Sequence, residues 1–329
     1  MTAAREQFRV RRFDADREDR EIGLDDALRA RPTKRQLLWI DAVGEIDPDD
    51  LARLGERFGF DEQTSQALAT SIGQPHLAVY GTYFHVSVAL PGSGKQGTHP
   101  SWLDIVASEL VVITRHAEPV GLLDEIDERV KADAALGAVE GAEFVALILD
   151  AVVTSYFAAV DEIEDAVDSL DARSLRDDGR SRLLDELVEL RRRIARLRRT
   201  VTGHRSVYAG LTGPDMRQVI EGTDAVEDLQ AVSSRFEAAV GAVEASRDSL
   251  LGSFDVYMTR TAQRTNDVMK VLTIATVLLL PGTVIAGLLG MNVVVPLNKD
   301  EPASFWIVVG GVVLLALVVI AAARWRRWI

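Results

Sequence analysis

The stretch Val271–Asn298, VLTIATVLLLPGTVIAGLLGMNVVVPLN, decides the architecture of this chain. It runs about 28 residues without a charge, and about 20 are enough for a helix to cross the hydrocarbon core of a bilayer. Lys270 bounds it on one side and Lys299 on the other. A second apolar run, Pro302 to Ala323, follows Lys299-Asp300-Glu301 and is also long enough to cross. Two adjacent spans with a short connection form an antiparallel hairpin whose ends lie on the same side. The polar residues inside the first span are therefore the place to look for function.

Working outward, roughly the first 265 residues carry almost all of the charge and no apolar run long enough to span. That portion reads as water-soluble and large enough to bury its own core. The N-terminus, MTAAREQFRVRRF, has no apolar h-region, so no cleaved signal is expected. There is no cysteine, which excludes disulfides and thiolate metal sites and fits a reducing compartment. The net charge is −13, and an acidic soluble part argues against nucleic acid as a partner. The segments flanking the spans are basic nonetheless. Arg260, Arg264 and Lys270 precede the first, and Arg324, Arg326 and Arg327 follow the second. The positive-inside rule puts both termini and the bulk of the chain in the cytoplasm of a cell (inner) membrane protein, with the short loop outside. Trp325 and Trp328 read as interfacial anchors at one face and Trp306 at the other.

Upstream, residues 1–33 are charged with a loose helical pattern at Leu24, Ala27 and Leu28. Leu37-Leu38-Trp39-Ile40 reads as a buried strand ended by Gly44, and Asp47-Pro48 as a helix start. Helical stretches near 48–57 and 61–72 follow. Strand-like runs come next at Leu77–Tyr80, Tyr83–Leu90, Trp102–Ala107 and Glu109–Thr114. Phe144–Leu170 and Ser181–Tyr208 are long periodic helices broken at Asp177-Asp178-Gly179. After Pro214 no strong breaker appears before Pro281, which predicts one helix from about Met216 to Met291, on the order of 110 Å long. The expected fold class is an α/β cytosolic domain, a long helical stalk and a C-terminal two-helix transmembrane hairpin. The expected boundaries are 1–141 for the α/β domain, 142–266 for the long helices and stalk, 267–292 for the first span, 293–303 for the external loop, 304–324 for the second span and 325–329 for a basic tail.

Within the first span the polar and small residues recur at heptad spacing. Asn266, Thr273, Leu280 and Gly287 form one row, and Thr276, Thr283 and Gly290 the adjoining one. Gly282, Ala286 and Gly290 make a stripe of small residues that lets helices approach closely. A single hairpin cannot enclose a pore, but several copies around an axis can, which implies a homo-oligomer. No carboxylate or histidine lies in either span, so neither a proton relay nor an inner-sphere transition-metal site is expected there. Neutral oxygens suit a hard cation that keeps its water, as Mg²⁺ commonly does. The competing reading is a plain anchor whose threonines and asparagine hold helices together.

Gly290-Met291-Asn292 resembles the Gly-Met-Asn signature of the CorA family of divalent-cation channels. The preceding Thr265-Asn266-Asp267-Val268-Met269-Lys270-Val271-Leu272-Thr273-Ile274 is similar to the same family, as are Pro281 and Ile285-Ala286-Gly287. The resemblance implies a homopentamer whose first span lines the pore and whose soluble funnel senses the ion. Carried over by position, Gly290, Met291 and Asn292 form the selectivity filter. Asn266, Leu272, Thr273, Thr276, Leu280, Thr283 and Gly287 line the conduit, with Leu272 and Leu280 as apolar constrictions, and Asp255 lies at the cytoplasmic mouth. Three features depart from the family pattern. Leu289 stands where many members have tyrosine, and Val293–Leu297 lacks both the Met-Pro-Glu run of magnesium members and the Gly-Gly-Ile-Pro-like run of the zinc-transporting ZntB branch. Ala231 stands where a Mg²⁺-sensing aspartate is expected.

Asp161, Glu164, Asp165 and Asp168 are candidate ligands for a regulatory Mg²⁺ paired across subunits, or else a solvated face balanced by arginines at 191–199. Asp300 and Glu301 in the outer loop are candidates for attracting cations. His76, His85, His99, His116 and His204 show no ligand spacing and read as structural. Pro91-Gly92-Ser93-Gly94-Lys95-Gln96 fails as a phosphate loop, with Ala89 at its leading position and no Ser/Thr after Lys95. No nucleophile–base constellation is present, so an enzyme is not expected, nor a cofactor beyond Mg²⁺ as transported and regulatory ion. The expectation is a channel for Mg²⁺ influx that also takes Co²⁺ or Ni²⁺, driven by membrane potential. A Zn²⁺ transporter of the ZntB branch and a non-conducting helical scaffold or sensor are the alternatives.

Overall fold

Gln36–Val43 (β3) lies in the interior of a mixed sheet because its Leu37-Leu38-Trp39-Ile40 run is apolar on both faces, the pattern of a strand covered on each side. The computed structural model describes residues 7–16, 19–92, 101–132, 140–176, 180–220, 224–290 and 302–325. They divide into one unit up to Leu251 and a second from Gly252 onward. In the first, seven strands are ordered β2-β1-β3-β7-β6-β5-β4. These are β1 Phe8–Asp14, β2 Arg20–Glu21, β4 His76–Tyr80, β5 Tyr83–Leu90, β6 Ser101–Ser108 and β7 Val111–His116. All neighbours are antiparallel except β3 with β7. β3 ends at Gly44, whose φ of +85° turns the chain where a side chain would strain it.

One face of the sheet, with Leu38, Ile40, Val106 and Ile113, is buried with Ala27, Leu54 and Leu68. Those last three sit on α1 (Leu24–Arg29), α2 (Pro48–Phe58) and α3 (Glu62–Ala69). The Asp47 side chain caps α2 by accepting from the Asp49 N–H at 2.9 Å, and Asp61 caps α3 in the same way. On the other face, Trp39 meets Phe144 with ring centroids 5.4 Å apart. Phe144 belongs to α5 (Gly141–Arg176), which follows α4 (Gly121–Ala132). α6 (Arg180–Gly203) returns along α5, held by the ion pairs Glu162–Arg193 and Arg173–Glu186.

His204 joins this helical layer to the sheet. Its Nδ1 donates to the Thr200 carbonyl at 2.6 Å and its Nε2 accepts the Ala89 N–H at 2.8 Å, while the Tyr156 hydroxyl donates to the Ala89 carbonyl. Both backbone groups of Ala89, on β5, are thus capped by helical side chains. α7 (Arg205–Leu211), α8 (Pro214–Val219) and α9 (Ala225–Gly290) follow. α9 is tied to α5 and α6 through Arg235–Asp150 and Arg198–Glu244.

One sequence expectation is corrected and one gap is filled. The helical pattern at Leu24, Ala27 and Leu28 is α1, while residues 8–14, to which the sequence assigned no element, form a strand whose Arg9 and Arg11 lie against acids. Arg9 pairs with Asp41 at 2.9 Å and with Asp124, and Arg11 pairs with Asp127 at 3.0 Å. The single helix expected from Met216 is two: α8 stops at Val219 and α9 starts at Ala225, just after Asp224, a residue type favoured at helix starts. α5 is also apolar enough in part to pass for a span, but half of that window is buried within the protein, as in a core helix.

Candidate functional site

The second unit contains the rest of α9 and α10 (Pro302–Trp325). None of the apolar window of α9 is buried, and α10 exposes Phe305, Trp306 and Ile307 at 64–68%. Two long apolar helices with such exposure need a lipid or protein surround.

α9 is covered by α10 along one side only. Lys270, Ile274, Leu278, Pro281, Gly282 and Ile285 are half-buried, while the positions between them are exposed. On α10 the matching stripe is Val308, Val312, Ala316 and Val319. A Cβ placed on Gly282 would lie 3.6 Å from Val312 Cγ1, so the absence of a side chain there brings the helices together. At about 100° per residue, Asn266, Thr273, Leu280 and Gly287 with Thr276, Thr283 and Gly290 fall on roughly the opposite side of α9. All seven are exposed, as is Leu272. The polar row is therefore not used to hold the hairpin.

The threonines show how a neutral face is made. Each hydroxyl donates to the carbonyl one turn back: Thr273 to Met269 at 2.7 Å, Thr276 to Leu272 at 2.8 Å and Thr283 to Leu279 at 2.6 Å. With its proton engaged, each oxygen turns only acceptor capacity outward. A row of acceptors without formal charge is matched to donors that approach from outside, such as the hydrogens of cation-bound water. Pro281 brings no N–H to the carbonyl of Val277, which adds one more free acceptor in mid-helix. This back-bonding has no signature in the sequence beyond the residue type.

Of the remaining site residues, Asp255 is exposed on α9, and Lys270 pairs with Asp267 at 3.2 Å. Asp161, Glu164, Asp165 and Asp168 are all exposed on α5. Among the described residues, no three His, Asp or Glu side chains converge as a metal site within one chain. Of the arginines expected to balance those acids, Arg193 meets Glu162, Arg192 and Arg196 meet Glu189, and Arg198 meets Glu244. Met291, Asn292, Asp300, Glu301, His99, Arg326, Arg327, Trp328 and the 93–96 segment lie outside the described residues.

The buried histidines serve the fold. His116 places Nε2 3.0 Å from Asp41 and Nδ1 2.6 Å from the Glu118 carbonyl, which ties the end of β7 to β3. Burial pushes His204 below the ordinary imidazole range, and His76 likewise.

The family described as CorA-like Mg²⁺ transporter protein matches residues 34–324. The chain is 25% identical over 300 residues to the cobalt/magnesium transport protein CorA of Thermotoga maritima, covering 88% of this chain and 83% of that protein. Its fold resembles the complete structure of the CorA magnesium transporter from Methanocaldococcus jannaschii, with a TM-score of 0.76 at 17% identity over 97% of this chain and 98% of that one. The full-length CmaX protein gives a TM-score of 0.74 at 21% identity, over 96% and 97% of the two chains. Sheet, long helix and terminal helix are shared along nearly the whole length.

Proposed function

Because the chain belongs to the CorA-like Mg²⁺ transporter family, which are membrane transporters of divalent cations and not enzymes, we propose that it is a homopentameric channel for Mg²⁺ influx, with Co²⁺ and Ni²⁺ as further cargo. The observation that carries this reading is the free row of threonine and asparagine oxygens, on the side of α9 that α10 does not cover. Five such rows around an axis form a passage lined by acceptors. Mg²⁺ dehydrates reluctantly, so it travels with much of its water, and the water hydrogens bond those oxygens.

In this reading Gly290, Met291 and Asn292 form the external filter, where an amide ring selects the hydrated ion. Thr283, Thr276, Thr273 and Asn266 hand it inward. Leu280 and Leu272 are apolar constrictions that close by dewetting. Asp255 draws the ion out at the cytoplasmic mouth, and Asp300 and Glu301 enrich cations outside. Both termini and the soluble unit are cytoplasmic, in keeping with the basic flanks of the spans.

Purified full-length protein in liposomes, assayed with Mg²⁺ and Zn²⁺ indicators in parallel, tests the assignment. Mg²⁺ uptake that is lost in Asn292→Ala, with the oligomer intact, is the expected result. Uptake of Zn²⁺ alone overturns the choice of ion, and a protein indifferent to Asn292→Ala with no flux at all is a scaffold.

A further inference from the structure

The α5–α6 hairpin carries two outward stripes of opposite character. On α5, Ala158, Asp161, Asp165 and Asp168 recur three and four residues apart, and all are exposed. On α6, Leu184, Val188, Arg191 and Arg199 follow the same kind of spacing, with half-buried Ala195 between them. Leu184 and Val188 are 41% and 40% exposed, unusual for aliphatic residues on a charged helix. Asp161, Asp165, Asp168, Arg191 and Arg199 have no ion-pair partner among the described residues. Their neighbours on the same helices do: Glu162 with Arg193, Arg196 with Glu189, Arg198 with Glu244. One charged set is consumed inside the chain, and a second set is left pointing outward.

The heights of the two stripes match. The pairs Glu162–Arg193 and Arg173–Glu186 fix how α5 and α6 lie along one another. They put Asp165 level with residues 190–194, beside Arg191, and Asp161 about one turn from Arg199. For a cyclic axis running along the hairpin, rotation changes neither height, so acids come level with arginines wherever the α5 of one copy faces the α6 of the next. The spacing of three and four residues is that of a helix–helix seam, with Leu184 and Val188 supplying its apolar part.

We propose that the α5–α6 hairpin docks on the hairpin of a second copy of this chain, the aspartate stripe of α5 against the arginine stripe of the neighbouring α6. The inference depends on the homo-oligomeric reading above and adds to it which surfaces meet. Exposed ion pairs add little binding energy but penalise wrong registers, so the stripes set alignment while the apolar residues set affinity.

The chain has no cysteine, so an introduced thiol has no native competitor. Full-length chains bearing Asp165→Cys and Arg191→Cys, each with its own tag, are co-expressed and treated with a short thiol–thiol cross-linker. A covalent dimer carrying both tags is expected, with none from Asp165→Cys alone. An intact oligomer by light scattering without that dimer overturns the docking and leaves the oligomer standing. A monomer overturns both. Charge reversal supplies the second arm. With the thiols placed throughout this arm at Asp168→Cys and Val188→Cys, which leave the four reversed positions free, Arg191→Glu with Arg199→Glu should make the cross-link disappear, and adding Asp161→Arg and Asp165→Arg should restore it. A cross-link that survives charge reversal but is lost on chelation of Mg²⁺ assigns the acids to a bridging cation and overturns the arginine pairing.

Discussion

Thr283 donates its hydroxyl proton to Leu279 and, at 3.3 Å, also to Leu280, which leaves its oxygen a pure acceptor on the uncovered side of α9. Thr283→Val keeps the branched shape and removes that acceptor. A hydrogen bond to a charged group is worth about 1.5–3 kcal/mol, and about 1.4 kcal/mol is a factor of ten, so Mg²⁺ flux should fall about tenfold while Thr283→Ser retains it. Unchanged flux in Thr283→Val with normal assembly would show that this oxygen does not meet the ion. A second residue-scale prediction concerns His204, whose Nε2 must stay unprotonated to accept from Ala89. Burial lowers its pKa in the folded state below about 6.5, so the unfolded chain takes up the proton first. Its contribution to stability is complete above about pH 6.5 and is lost as pH falls towards the folded value. Denaturant midpoints measured between pH 7.5 and 5.5 should drop, and His204→Gln should flatten that drop; an equally steep curve in the variant would remove His204 from the explanation. The polar row was legible in the sequence because threonine and asparagine stand out in an apolar run. His204 read as structural from its lack of ligand spacing, but its partner was not legible, since the Ala89 N–H it accepts lies on a strand 115 residues away.

The elements whose period is set by burial were readable, and those stabilised by long-range charge were not. β3, β5 and β7 are buried on both faces, and their runs of apolar and β-branched residues announce them. β1 hides its alternation behind Arg9, Arg11 and Arg12, and the acids that settle two of them lie on β3 and α4. The break between α8 and α9 was missed because Pro214 and Pro281 drew the boundaries, while Asp224 is a weaker signal. One junction of elements is tight enough to test. Gly141 opens α5, its N–H bonds the Glu109 carbonyl at 2.8 Å, and a Cβ there would sit 2.0 Å from the Ser108 carbonyl oxygen. The obstacle is backbone, so it cannot rotate away, and α5 must shift off the β6–β7 turn. Gly141→Ala should cost stability at the upper end of about 1–3 kcal/mol, read as an earlier urea midpoint. A midpoint equal to the parent protein would mean that α5 is not seated against that turn as described.

At the scale of the whole molecule, the proposed channel leaves transport to the ion's own electrochemical gradient. The segment that most resembles a phosphate loop lacks its hydroxyl, and the family that the chain matches is one of cation transporters. A divalent ion gains about 4.6 kcal/mol per 100 mV, at about 2.3 kcal/mol per charge, or roughly three decades of accumulation. Liposomes with equal Mg²⁺ inside and out should therefore show no net uptake at zero potential. Uptake should begin when a potassium diffusion potential makes the lumen negative, and should reverse with its sign. An imposed pH gradient at zero potential should do nothing, because the apolar runs 271–298 and 302–323 hold no carboxylate or histidine to carry a proton. If instead the pH gradient alone drives uptake and the diffusion potential does not, then a protonatable group outside the spans must be coupled to the pore. The neutral lining of α9 would no longer account for passage.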